Sequence, residues 1–260
     1  MGDRRNAYLL TTPACLDRPL ASRIVITVAT WNVLHRVHAE NWHDDGVSWP
    51  DEPIRIAAIS AQLSARPETV IALQEVSGDQ LASLRTTFPH KTIHALRYPR
   101  IPRLRRGAPA LHDPTEHLVL LVDRPTEELA AESFPNDPGN GFLAVELDSL
   151  IVVTTHITGD ERRVEQLTRL KELVDAHPDS PLVIVGDFNT DRDTVGAALG
   201  DTCTVADLPP GTLPTRPRTS GPKSQFIDHI VTRNTRAINL AVHPANGLSD
   251  HNLVRATLIT

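Results

Sequence analysis

Eight short apolar runs rich in β-branched residues recur along the chain, and they constrain its fold more than any other feature: IVITVAT (24–30), TVIAL (69–73), HLVLLV (117–122), FLAVEL (142–147), LIVVTTHI (150–157), PLVIVGDF (181–188), FIDHIVT (226–232) and LVRATLI (253–259). Such runs read as strands. Helical spacing is clearest in EPIRIAAISAQLSA (52–65) and ERRVEQLTRLKELVDA (161–176). In the latter, Val164, Leu167, Leu170, Leu173 and Val174 share one face and the charges another, which predicts a surface helix lying on a sheet. Strands thus outnumber helices. Two stretches dense in proline and arginine, 97–116 and 206–223, predict long surface loops.

With 260 residues and 40% hydrophobic content, the chain can bury one large α/β core. The expected division is an N-terminal arm over 1–23, which lacks periodicity, and a single domain over 24–260. A net charge of −6 argues against coating nucleic acid by bulk positive charge and leaves room for a local basic patch. Two cysteines, Cys15 and Cys203, supply neither a disulfide framework nor a thiolate zinc site, and they fit a cytoplasmic protein. The longest apolar stretch near the N-terminus, Ala7 to Leu10, is too short for a signal-peptide core, and no run approaches a membrane span.

Polar residues sit where the strands end. The run at 24–30 closes on Thr30-Trp31-Asn32, that at 69–73 on Gln74-Glu75, that at 150–157 on Thr155-His156, and that at 181–188 on Gly186-Asp187-Phe188-Asn189. Ile227-Asp228-His229 lies inside the seventh run, and Ser249-Asp250-His251 precedes the last. Polar groups at one rim of a sheet can converge on a shared crevice. A hard cation such as Mg²⁺ takes oxygen ligands, and Glu75 is the natural direct ligand, with Asn32 and Asp250 nearby. Asp187 beside Asn189 can orient or deprotonate a water. His156 and His251 can donate to a phosphate's developing charge, His251 with Asp228 as its carboxylate partner. His229 should point to the opposite face of its strand and be structural.

In their order, TWN, LQE, TTHI, GDFN, IDHI and SDH resemble the signature of the endonuclease/exonuclease/phosphatase superfamily, over roughly residues 24 to 260. The resemblance implies a four-layer α/β/β/α sandwich of two mainly antiparallel sheets flanked by helices. It implies Asn32 as phosphate or metal-water contact, Glu75 as Mg²⁺ ligand, His156 as phosphate donor and Asp187 as base oriented by Asn189. Asp228 would hold His251, and Asp250 would support the metal. Mn²⁺ is the expected substitute for Mg²⁺. His156 stands where abasic-site endonucleases carry asparagine, and the segments around TWNVLHRVHAENW look closest to deadenylase-like and nocturnin-like members.

Where relatives carry a phosphate-contacting third-strand segment, this chain has HLVLLVDRP, so Arg124 is the expected partial substitute and Tyr98 the one nearby tyrosine. Arg162 and Arg163 open the second helix near the rim and are candidate substrate contacts. Arginines 97, 100, 103, 105 and 106 read equally as phosphate contacts or as a solvated loop. His35, His38 and His43 read as a loop beside the site rather than a zinc centre.

The resulting expectation is a Mg²⁺-dependent phosphoesterase acting on a phosphodiester or phosphomonoester of a nucleotide, short nucleic acid or small phosphorylated metabolite. Aromatics at 4% weigh against a long single-strand track. Two alternatives stay open: a deadenylase-like nuclease of RNA 3′ ends, and a catalytically silent phosphate-binding or regulatory protein on the same fold. No membrane association and no protein partner is read from the chain.

Overall fold

The computed structural model describes residues 25–41, 49–107, 110–218 and 224–259. The expected arm over 1–23, with Cys15, and the residue His43 lie outside the described residues.

Each interior strand is apolar at successive positions because both its faces are covered. In β1 (Val25–Asn32) and β2 (Val70–Ser77), Val28, Val70 and Ala72 turn toward the centre of the molecule, while Ala29, Trp31, Ile71 and Leu73 turn outward. The outward set packs under α2 (Glu52–Ser64) and α3 (Gly78–Thr87) through Ile59, Leu63, Leu81 and Leu84. On the other side of the molecule, Ile151 and Val153 of β7 (Leu150–His156) and Ile184 of β8 (Leu182–Asp187) meet Leu167, Leu170 and Val174 of α4 (Arg163–Asp175) and Val195 and Leu199 of α5 (Arg192–Leu199). Val164 departs from the expected apolar face of α4: it is 65% exposed, and Gln166 takes the inward position near the helix start.

Between the helices the two sheets pack face to face, Val28, Leu118 and Leu120 against Leu143, Val152, Val183 and Val185. The remaining strands are β3 (Thr92–Arg97), β4 (Glu116–Val122), β5 (Glu127–Phe134), β6 (Asp137–Leu147), β9 (Thr204–Val205), β10 (Asp228–Arg233), β11 (Arg236–His243) and β12 (Leu253–Ile259), with a short helix α1 (Arg36–Asn41) after β1. One sheet runs β11-β12-β1-β2-β4-β3 and the other β5-β6-β7-β8-β10-β9. Both are mainly antiparallel, with parallel pairing at β1–β2 and β7–β8. The architecture is the expected four-layer sandwich. Among the described residues no helix is long and apolar enough to cross a membrane.

Those two parallel pairs position the site. Asn32 and Gln74 are register partners across β1–β2, and His156 and Asp187 across β7–β8, so four strands deliver these residues at one end of the molecule. Gly186 is required in that arrangement, because a Cβ there would come within 2.0 Å of the Thr155 carbonyl oxygen on the neighbouring strand.

Candidate active site

A bulge in β2 aims the acidic residue of LQE. The β2–β4 register slips between Leu73 and Val76, and Glu75 within the slip has φ +58°, a left-handed conformation that costs a non-glycine residue free energy. Its carboxylate is thereby turned to the rim, where Asn32 Nδ2 donates to Oε1 at 2.9 Å and the His35 backbone N–H donates to Oε2 at 3.0 Å. The same Asn32 Nδ2 donates to Asp187 Oδ2 at 3.0 Å, bridging the two sheets, while Asn32 Oδ1 accepts from the Leu34 N–H at 2.9 Å.

Asp187 ends β8 with its other oxygen, Oδ1, accepting the Asn189 backbone N–H at 2.9 Å. Asn189 has φ +46°, a region asparagine enters more readily than most side chains, and its amide donates to the Ile157 carbonyl at 2.9 Å. The Nε2 atoms of His156 and His251 each lie 3.7 Å from Asp187 Oδ2. Behind His251, Asp228 faces Nδ1 at 3.0 and 3.1 Å with both oxygens. Asp250 lies 4.0 Å from His251 Nε2 and is paired with Arg216 at 3.0 Å.

The charges of this crevice are strongly coupled. Burial opposes protonation of His251, but Asp228, Asp187 and Asp250 together raise its pKa to about 10, so the ring is a cation at neutral pH. Burial is also the main reason that Asp187 stays above the ordinary carboxylate range, with His251 pulling it down and Asp228 pushing it up. Burial would raise Glu75 too, yet it lies below its ordinary value because His38, His156 and the Asn32 hydrogen bond favour the anion.

Three side chains hold this end of the molecule together. Trp31 Nε1 donates to the His251 carbonyl at 2.8 Å, and Ser249 Oγ donates to the Asn32 carbonyl at 2.6 Å, fastening the last motif to the first. Arg55, buried in α2, donates to the carbonyls of Val33, Leu34 and Leu248 and is balanced by Glu52 at 2.7 Å.

Asn32, Glu75, His156, Asp187, Asn189, Asp228, Asp250 and His251 therefore meet in one crevice. Arg124 does not join them. Because β4 runs antiparallel to β2, with Val122 opposite Val70 and Glu116 opposite Ser77, residue 124 emerges at the far end of the sheet, where it pairs with Asp123 and Asp148. Arg162 and Arg163 stay on the correct rim but point elsewhere: Arg162 binds Asp160 and Asp137, and Arg163 donates to the Gly159 carbonyl. Tyr98 is buried, with its backbone N–H on the Glu116 carbonyl. His229 points away as expected, its Nε2 donating to the Thr190 carbonyl at 2.9 Å and its ring packing on Phe188.

Some features escaped the sequence reading. Arg216, inside the second proline-arginine loop, is the cation that reaches Asp250, and nothing local distinguishes it from Arg218. His38 belongs to a helix rather than a loop and reaches Glu116, which opens β4, at 3.3 Å. Burial works against it, but Glu75 and Glu116 raise His38 to about 9, whereas burial dominates at His35 and lowers it to about 4. Arg100 and Arg103 line an open cavity of about 640 Å³ that borders His38.

This fold with this crevice defines a class, the phosphate-ester hydrolases built on a two-sheet sandwich. Residues 29–251 match the endonuclease/exonuclease/phosphatase family, and the chain belongs to that family, a group of hydrolases acting on phosphate ester bonds. Solved structures with the same fold include D. rerio TDP2 complexed with single strand DNA product (15% identity, TM-score 0.63, covering 91% of this chain and 99% of that one). TDP2 from C. elegans aligns at 16% identity and TM-score 0.62 over 91% of this chain and 75% of that one. An endonuclease/exonuclease/phosphatase from Beutenbergia cavernae aligns at 21% identity and TM-score 0.61 over 90% and 71%. No curated protein matches the sequence.

Proposed function

We propose that the protein is a Mg²⁺-dependent phosphoesterase, with Mn²⁺ as substitute, that hydrolyses a phosphodiester or phosphomonoester of a nucleotide, short nucleic acid or small phosphorylated metabolite in the cytoplasm. The observation that carries this reading is the Asn32 amide, bonded at once to Glu75 and Asp187 at 2.9 and 3.0 Å. It sets a metal-ligating carboxylate and a proton-accepting carboxylate one side chain apart.

The residues present fit a hard dication. Glu75, Asp187, Asp228 and Asp250 bring four carboxylates to the crevice, and Asp250 Oδ1 is buried without a hydrogen-bond partner. Such oxygen donors suit Mg²⁺, which binds through one or two carboxylates and substrate phosphate. Glu75 would hold the ion directly, with Asn32 and Asp250 beside it. Bound there, it would polarise a phosphoryl oxygen and neutralise developing charge.

The protein's own groups supply the remaining steps. Asp187 Oδ2 takes a proton from the attacking water as the water oxygen bonds to phosphorus and the leaving oxygen departs in line. The Asn189 N–H on Oδ1 keeps that carboxylate oriented. His156 and His251, each 3.7 Å from Oδ2, flank the space for the phosphoryl group, and the His251 cation donates to its oxygens while Asp228 holds the ring.

The test is Mg²⁺-dependent release of nitrophenol from mono- and bis-nitrophenyl phosphate. Asp187→Asn should lower kcat by about 10²- to 10⁴-fold, and a chelator should abolish turnover. A silent phosphate-binding protein would turn over neither ester, and equal rates in the variant would overturn the role of Asp187. A screen of single-stranded DNA, poly(A), dinucleotides and sugar phosphates then ranks the substrate classes. The nucleic-acid arms are favoured by the DNA product bound to the D. rerio protein of similar fold.

A further inference from the structure

Beside the hydrolytic crevice lies a second group of ligating side chains, of which the proposed reaction uses only Glu75. A ring nitrogen of His38, a carboxylate oxygen of Glu75 and one of Glu116 all lie within 4.8 Å of one another. Glu116 is wholly buried at the start of β4, and one of its oxygens, Oε2, has no hydrogen-bond partner. A buried carboxylate normally has its acceptor sites filled, so an open one calls for a missing donor or cation. The Tyr98 hydroxyl is also buried and unpartnered, while the Tyr98 backbone N–H already holds the Glu116 carbonyl at 2.9 Å.

We infer that His38, Glu75 and Glu116 form a binding site for a divalent transition ion of the Mn²⁺, Co²⁺ or Zn²⁺ kind. One imidazole and two carboxylates form a donor set for such ions, whereas Mg²⁺ prefers oxygen alone. Ligand bonds of about 2.0–2.2 Å need only side-chain adjustment from this spacing. His38 borders the open cavity beside Arg100 and Arg103, which gives an ion a route from solvent. The helix α1 that carries His38 follows directly on the loop after Asn32, and the His35 N–H steers Glu75. An ion here would therefore fix Glu75 from a second side. The inference shares Glu75 with the proposed hydrolytic site but does not depend on turnover.

The experiment is a count of Mn²⁺ bound by the full, chelator-stripped chain, read from the loss of the free-ion electron paramagnetic resonance signal, with Co²⁺ absorption as a second probe. His38→Gln and Glu116→Gln, both checked by thermal melting, should each bind one ion fewer than the unaltered chain, or bind the last ion at least tenfold more weakly. Equal stoichiometry and affinity in both variants would show that His38 and Glu116 form an ion pair only, and would overturn the site. Nitrophenyl ester turnover on the same samples separates the two readings. An unaltered chain that binds the ion and hydrolyses nothing removes the proposed function and leaves this site; one that hydrolyses the ester and loses no ion in the variants does the reverse.

Discussion

Asn189 carries its amide at φ +46°, where a Cβ is disfavoured and glycine is not. Asn189→Gly therefore separates backbone from side chain: the backbone N–H on Asp187 Oδ1 is kept and melting temperature should hold or rise, while kcat falls about 10- to 100-fold through loss of the amide that donates to the Ile157 carbonyl and lies 3.4 Å from His156 Nε2. An unchanged kcat would remove the amide from the reaction. His251 makes a pH-dependent contribution to stability. Its folded pKa of about 10 is raised from the ordinary 6.5, so the stabilisation from Asp228 is complete below the lower value and is lost as pH climbs through the higher one. In chelator-treated protein, Asp228→Asn should depress melting temperature most in mildly acidic buffer and progressively less toward pH 10. A deficit constant over that range would contradict the protonated pair. Arg124→Ala should leave kcat/KM within about twofold, since its partners are Asp123 and Asp148 at the far end of the sheet.

At the scale of elements, β7 and β8 approach so closely at Thr155 and Gly186 that Gly186→Ala must push backbone from backbone. We expect a stability loss of at least about 1–3 kcal/mol by denaturant unfolding, with a parallel loss of turnover because His156 and Asp187 end those strands. Native-like stability would mean the strands can part freely there. Arg55 ties α2 to three carbonyls of the first and last motif loops, and Arg55→Ala would leave buried Glu52 with only the more distant Arg36 at 3.8 Å, at a cost of about 3 kcal/mol. Among the described residues, the eight apolar runs correspond to the interior strands, while β3, β5, β9 and β11 lie at the sheet edges and left no comparable mark in the sequence. An edge strand has solvent on at least one side, so EELAAESF and RAINLAVH carry charges and amides that mask their periodicity.

Over the whole molecule, carboxylates from both sheets face one crevice, and the proposed cation should therefore bind the folded state. Saturating Mg²⁺ should raise the melting temperature, by about 2.7 kcal/mol of stabilisation at 100 times the dissociation constant, and Glu75→Gln should blunt the rise. Equal shifts in both proteins would place the ion elsewhere. The interior strands and the residues that end them were set locally: a run of Val, Ile and Leu followed by Asn, Glu, His or Asp is written in consecutive positions, so TWN, LQE, TTHI and GDFN were legible without coordinates. Tertiary structure alone decided which cations face those residues. Strand direction sent Arg124 to the wrong end of β4, a loop return brought Arg216 onto Asp250, and the pairing of β2 with β4 placed Glu116 beside His38, 78 positions away in the chain. Long-range pairing and loop closure have no local period, and the charges around the crevice depend on them.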